Sequence, residues 1–292
     1  MACKLSGMSY ADIVGEVSSM IRYSTAPSEA FQCVWRHRTL LWQLIVRDVV
    51  GRYRGSVMGL LWSFLNPLLM LVVYTFVFRV VLAIKWPQID RLSNVDFGIV
   101  LFAALIVHGL FAECVTRAPT LIVNNPNFVK KVVFPLELLS WTVLGTALFH
   151  ALVSITVLVG ALLVVNHYIN WTILLLPIVL APLVLVIIGL SWFLAALGVF
   201  VRDIGQATGI LSTALLFLSP AFFPVEIVPA PYRTAIYFNP LTLPIEQVRQ
   251  VLIWGTMPDW YALGQWSGIG FLVSSTGFWW FQRARPGFAD VL

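Results

Sequence analysis

Apolar residues run through this chain in stretches too long and too unbroken for the surface helices of a soluble domain. Six stand out, at about Leu60–Ile84, Phe97–Val115, Leu138–Val165, Trp171–Phe200, Gln206–Val225 and Trp260–Phe281, each near the roughly 20 residues that carry an α-helix across a bilayer. The first is interrupted by Asn66-Pro67 and by Arg79. Pro and Gly inside such stretches fit a membrane setting, where neighbouring helices re-satisfy the freed backbone groups. The pattern predicts an all-α polytopic membrane protein with six transmembrane helices, forming one domain over residues 55–284.

Three segments outside these stretches have structure of their own. From Trp35 to Tyr53, Leu40, Leu41, Leu44, Ile45 and Val49 fall on one helical stripe with Arg36, Arg47, Asp48 and Arg52 off it. That pattern predicts an amphipathic helix over 35–54, either lying in the membrane interface with its arginines toward lipid phosphates or packed on the domain. Between the second and third stretches, Pro119, Asn124-Asn125-Pro126 and Lys130-Lys131 predict a compact helix that begins near Pro119 and stops before Pro126, within a connection over about 116–131. Such a segment serves as a docking knob or as a solvated turn whose lysines fix topology. Between the last two stretches, residues 224–256 are too long for a tight hairpin and too apolar for a free loop. Pro244 to Trp254, followed by Gly255, reads as a short helix with a glycine stop, in a re-entrant or capping segment.

Composition strengthens this picture. Hydrophobic residues make up 60% of the 292 and charged residues 11%, against about 25% charge in an ordinary soluble domain. The net charge of +5 raises nucleic acid as a partner, but the basic residues lie beside apolar runs, as they do in loops held on the cytoplasmic side. With both termini cytoplasmic, 13 of the 18 Lys and Arg residues fall inside, the other five being Arg79, Lys85, Arg91, Arg233 and Arg249. Residues 1–34 then form a polar cytoplasmic extension without a signal-peptide core, and 285–292 a cytoplasmic tail.

Candidate chemistry is sparse. The chain has no Gly-rich phosphate loop ending in Gly-Lys-Ser/Thr, so ATP energy has to come from a partner. Neither HExxH nor GxSxG occurs, and Cys3, Cys33 and Cys114 are far apart, which leaves no metal site or disulfide framework to expect. His108, Glu113 and His150 fall in or near spans but are scattered singly along the chain, which favours hydrogen-bonded packing roles. Trp86, Trp171 and Trp260 fit interfacial anchoring. Tyr74, Phe78, Phe217, Phe222 and Phe223 lie in the first and fifth stretches, as packing residues or as a stacking surface for a sugar chain.

The run Arg52-Tyr53-Arg54-Gly55-Ser56-Val57-Met58-Gly59-Leu60-Leu61-Trp62-Ser63, with Asn66-Pro67-Leu68, resembles the permease subunits of ATP-binding-cassette exporters that move O-antigen, teichoic acid and related polysaccharides. Further matching blocks are Asn125 with Phe128-Val129-Lys130-Lys131 and Phe134-Pro135, then Phe200-Val201-Arg202-Asp203-Ile204, and Asn239-Pro240-Leu241-Thr242 with Arg249. The resemblance covers roughly Trp35 to Phe281.

The resemblance implies a homodimer in the bacterial inner membrane, bound to two copies of a separate ATPase that supplies ATP and Mg, with no cofactor in this chain. It implies a lipid-linked glycan as substrate, most simply undecaprenyl-linked O-antigen. It also implies that the helix before the first span is an interfacial gate; near the end of that helix Arg47, Arg52 and Arg54 fall at headgroup level, either to hold the pyrophosphate of a lipid-linked substrate or to serve topology and general lipid anchoring. Asn124, Asn125, Asn127, Phe128, Lys130 and Lys131 fall in the implied coupling segment on the ATPase. The five aromatic residues above fall on the implied path wall. A teichoic acid or capsule exporter, a drug or lipid exporter of the same superfamily, and a membrane transferase are the alternatives.

Overall fold

The computed structural model describes residues 27–81, 97–130 and 134–292, and all regular structure among them is helical. Three helices are long and apolar enough to cross a membrane, at Phe97–Thr120, Leu138–Val165 and Trp171–Phe200. The first is the most enclosed, with 72% of its most apolar stretch buried against 22% and 44% for the others, and this makes it the core around which the rest packs.

In chain order, α1 (Pro27–Arg36) and α2 (Arg38–Tyr53) meet at His37, whose φ of −108° and ψ of 24° put a bend between them. The predicted apolar stripe faces inward, with Leu41, Leu44 and Val49 buried. Helix α3 (Trp62–Thr75) follows a 3₁₀ turn at Gly59–Leu61, contains Pro67, and continues as a π-helical turn over Phe76–Val81. Then come α4 (Phe97–Arg117), α5 (Pro126–Lys130), α6 (Leu138–Asn166), α7 (Leu176–Phe200) and α8 (Ile204–Phe217). The chain ends with α9 (Ala230–Tyr237), α10 (Thr242–Arg249), α11 (Trp260–Ala284) and the short α12 (Phe288–Val291).

Two boundaries differ from expectation. The helix after α4 starts at Pro126 instead of stopping before it. Proline is well placed at a helix start, where its missing N–H has no partner to lose, and α4 itself runs on through a 3₁₀ turn at Ala118–Thr120. The fifth apolar stretch is helical only to Phe217, after which Leu218 to Ala221 turn back; Pro220 in that turn has no N–H to continue the ladder. The expected stop at Gly255 is present, with φ at +66° after a π-helical turn over Gln250–Trp254.

Small residues set how closely the helices approach. A Cβ added at Gly189 or Gly277 would collide with the facing helix backbone, as would one at Gly270 with the Pro182 carbonyl. These glycines line a seam between α7 and α11, the close approach that small residues permit where lipid gives no hydrophobic drive to association. Trp192 closes the seam, fully buried, with its ring 5.0 Å from that of Phe278 and its Nε1 donating to the Glu137 carbonyl.

Arg249 ties the segment between α8 and α11 to this body. It is 3% exposed and donates to the carbonyls of Val100, Pro220 and Ala221 at 3.2, 2.6 and 2.9 Å, so one guanidinium satisfies backbone groups of α4 and of the turn after α8. Asn239 donates to the Leu215 carbonyl and accepts from the Leu241 N–H. The terminal tail is also docked: Arg285 pairs with Glu137 at 3.1 Å and donates to the Phe134 carbonyl, and Phe288 is fully buried against Phe281. Cys33 and Cys114 are buried; burial, with Glu137 beside it, pushes the Cys33 thiol up to about 12, in keeping with a packing role. Cys3 lies outside the described residues.

Candidate functional site

The last two turns of α2 bring their polar residues against α4 and α6. Arg52 pairs with Glu113 of α4 at 2.5 Å and lies 3.3 Å from His150 Nδ1 of α6. His150 Nδ1 is 2.9 Å from Glu113, and its Nε2 is 3.2 Å from the Tyr53 hydroxyl. A neutral imidazole satisfies both contacts when Nδ1–H donates to Glu113 and Nε2 accepts from Tyr53. Glu113 and His150, far apart in sequence, are therefore joined in one network. The expectation that they are scattered singly is corrected, because helices α4 and α6 pack side by side and align them. His108 does have the expected hydrogen-bonded packing role, its Nε2 lying 3.1 Å from the Ser212 carbonyl of α8.

A second ion pair lies beside the first. Arg117, at the end of α4, donates both terminal nitrogens to Asp48 of α2 at 2.9 Å each, and lies 3.5 Å from Glu113. Burial pushes the Asp48 carboxyl up, but the two-pronged Arg117 contact outweighs it and holds the carboxyl below its ordinary value. Arg47, Asp48, Gly51, Arg52 and Arg117 surround a recess of about 410 Å³. Glu113 and His150 also line a cavity of about 270 Å³ between α3, α4 and α6, together with Asn66, Tyr74 and Ser154 among others.

Of the three arginines singled out from sequence, Arg47 and Arg52 therefore share a recess, while Arg54 is exposed beyond the end of α2 and does not line it. Arg117, Asp48 and the Glu113–His150 pair were missed as a group. Spacing offered one usable signal, since Glu113 and Arg117 stand four apart on one helix face.

In the other predicted regions, Asn124, Asn127 and Lys130 are exposed, whereas the Asn125 side chain turns back to the Leu121 carbonyl at 2.8 Å. The Phe128 ring stacks on Phe134 with centroids 4.4 Å apart; Lys131 lies outside the described residues. Phe217 and Phe222 stack at 5.4 Å, and Phe223 is half-buried nearby in sequence. Tyr74 faces the cavity beside α4, and the side chain of Phe78 lies outside what is described.

An all-helical body with several membrane-length apolar helices and a charged junction at one end defines a multi-pass membrane protein. Residues 39–253 match the family described as ABC-2 type transporter, and the chain belongs to that family; it is a permease, a transport component. It is 25% identical over 261 residues to the O-antigen export system permease protein RfbA of Myxococcus xanthus, covering 89% of this chain and 97% of that one. It is also 25% identical over 248 residues to the protein of the same name in Klebsiella pneumoniae, covering 84% and 92%. To the polysialic acid transport protein KpsM of Escherichia coli it is 24% identical over 225 residues, covering 75% and 83%.

Proposed function

We propose that this chain is the six-span permease subunit of an ATP-driven exporter that moves lipid-linked polysaccharide, most simply undecaprenyl-linked O-antigen, out across the inner membrane. The observation that carries this reading is the end-to-end similarity to permeases named for O-antigen export, reaching 97% of one such chain. The family type supports association with a separate ATPase subunit, in which ATP and Mg would be bound.

In this reading two copies of the chain assemble with two ATPase subunits, and both termini are cytoplasmic. The 59–81 segment, α4, α6, α7, α8 and α11 are the six spans. Exposed Asn124, Asn127 and Lys130 meet the ATPase, with Asn125 and Phe128 shaping the turn that presents them and Lys131 adjoining it. Arg47, Arg52 and Arg54 receive the substrate headgroup, and α9 and α10 form the re-entrant segment at the exit. Phe217, Phe222 and Phe223, with Tyr74 and Phe78 of the first span, supply the weak, repeated stacking contacts that let a polymer slide without stalling.

Deleting the gene in its host should remove polysaccharide from the cell surface and leave lipid-linked polymer inside, with surface polymer restored by the parent gene. Cysteines at Asn127 and Lys130 should crosslink to the co-expressed ATPase. Unchanged surface polymer in the deletion strain, accompanied by new sensitivity to lipophilic drugs, would point to the drug-exporter alternative instead.

A further inference from the structure

The connection that carries α5 is pinned to the body on both sides. Before α5, the 3₁₀ turn at Ala118–Thr120 packs on α7 so closely that a Cβ on Gly198 would strike the Pro119 carbonyl. After it, Trp192 of α7 donates to the Glu137 carbonyl, and Arg285 donates to the Glu137 carboxylate and to the Phe134 carbonyl at 3.1 Å each. Between these anchors α5 has only five residues, too few to stay helical without tertiary support. It rests on the Phe128–Phe134 ring stack and on the short helix α12, which packs against it.

Helix α12 is itself firmly held. Phe288 is fully buried, its ring 5.5 Å from that of Phe281 and 6.1 Å from that of Phe200, which wedges the helix between the ends of α7 and α11. The Arg285 and Glu137 side chains are 12% and 11% exposed, so this ion pair is enclosed, and it joins the end of α11 to the start of α6. The outward residues of α12 are Ala289, Asp290 and Val291, and those of α5 are Pro126, Asn127 and Lys130. A stable protein contact takes about 800 Å² and roughly 20–30 residues from each partner. The exposed part of α5 supplies a small share of that, so a partner that covers α5 extends onto its neighbours. We propose that residues 285–292 are the seat of α5, and that α5 and α12 together form one docking surface for the ATPase subunit. That α5 meets the ATPase rests on the export reading; that α12 seats α5 does not.

The seat is tested on the full permease in nanodiscs, without ATPase. In a Cys3→Ser background, where Cys33 and Cys114 are buried, a spin label is placed through Asn127→Cys on α5 and, separately, through Leu152→Cys at an exposed site on α6. Phe288→Ala and Arg285→Gln should each shift the α5 label to a more mobile spectrum and leave the α6 label unchanged. Arg285→Lys should fall between them and the parent, because an ammonium keeps the pair with Glu137 but cannot also reach the Phe134 carbonyl. Arg283→Gln, which removes an exposed charge from the same helix end, should match the parent. A parent-like α5 label in both Phe288→Ala and Arg285→Gln, or equal loosening of both labels, overturns the seat. If Arg285→Gln does not fold, since it leaves Glu137 enclosed and unpaired, Phe288→Ala and Arg285→Lys decide.

The shared surface is tested with the ATPase subunit co-purified with this permease from its host, titrated onto the nanodiscs. Asp290→Lys and Val291→Glu alter exposed groups of α12, so the α5 label should stay as in the parent while ATPase binding weakens roughly tenfold in each. Lys130→Glu on α5 tests the underlying reading in the same assay. Weaker binding in Lys130→Glu with parent-like binding in both α12 variants overturns the shared surface and leaves the export reading standing. Parent-like binding in all three variants overturns the contact between α5 and the ATPase and the shared surface with it, and the label spectra still decide the seat.

Discussion

Replacing Gly277 by alanine and, in a separate variant, Gly268 by alanine adds the same methyl group to the same helix, α11, at two sites that differ only in what the methyl meets. At Gly268 a Cβ has open space, with no heavy atom within 4 Å. At Gly277 it runs into the carbonyl and Cα of Gly189 on α7, which are backbone atoms that no side-chain rotation can move. The intrinsic helix gain from Gly to Ala, about 1 kcal/mol in water, is common to both variants and cancels in their difference. What remains is the overpacking of the α7–α11 seam, on the order of 1–3 kcal/mol, because the helices must part and loosen the Trp192–Phe278 ring contact. Reversible unfolding of the purified chain in mixed micelles, with increasing SDS, reads this difference directly. Gly277→Ala should unfold at clearly lower SDS than Gly268→Ala. Equal midpoints would mean that the seam is loose enough to absorb a methyl group, and the argument from close backbone approach would fail.

Three further outcomes follow from particular contacts. Because the Asp48 carboxyl is held below its ordinary value, its pairing with Arg117 stabilises the fold fully above the ordinary carboxylate range and loses that contribution as pH falls through the depressed value; pH-dependent unfolding should show the loss, and Asp48→Asn should flatten it. Arg249→Met should destabilise by about 3 kcal/mol or more, since three buried carbonyls lose a charged donor. Arg249→Lys should fail to restore them all, because a compact ammonium cannot span the positions the guanidinium reaches; thermal unfolding of both variants checks this. Phe217→Ala, which breaks the exposed ring stack with Phe222, should change midpoint stability by only about 1 kcal/mol yet slow polymer export, and export at the parent rate would reduce that stack to packing.

Much of the architecture was legible in the chain because lipid imposes a one-dimensional rule. A backbone in hydrocarbon must satisfy its own hydrogen bonds, so long apolar stretches become helices wherever they occur. The stretches at 97–117, 138–166 and 171–200 were read almost to the residue. The stop at Gly255 was legible for a local reason, the left-handed backbone that glycine adopts without strain. Pro126 was misread because proline both ends helices and begins them, and only the continuation of α4 through Thr120 shows which applies.

The sequence by itself determined an all-helical membrane protein, the amphipathic character of α2, and the blocks that relate it to polysaccharide permeases. Only the tertiary structure decided which polar residues meet. Asp48 and Arg117 are 69 positions apart, and Glu113 and His150 are 37 apart; nothing in their spacing brings them together. Their meeting depends on how α2, α4 and α6 pack together, which decides the face of each helix that meets its neighbours. Helical periodicity tells which residues share a face, but the face that a neighbouring helix covers is set by packing, and that is where the charged junction, the recess and the glycine seam arise.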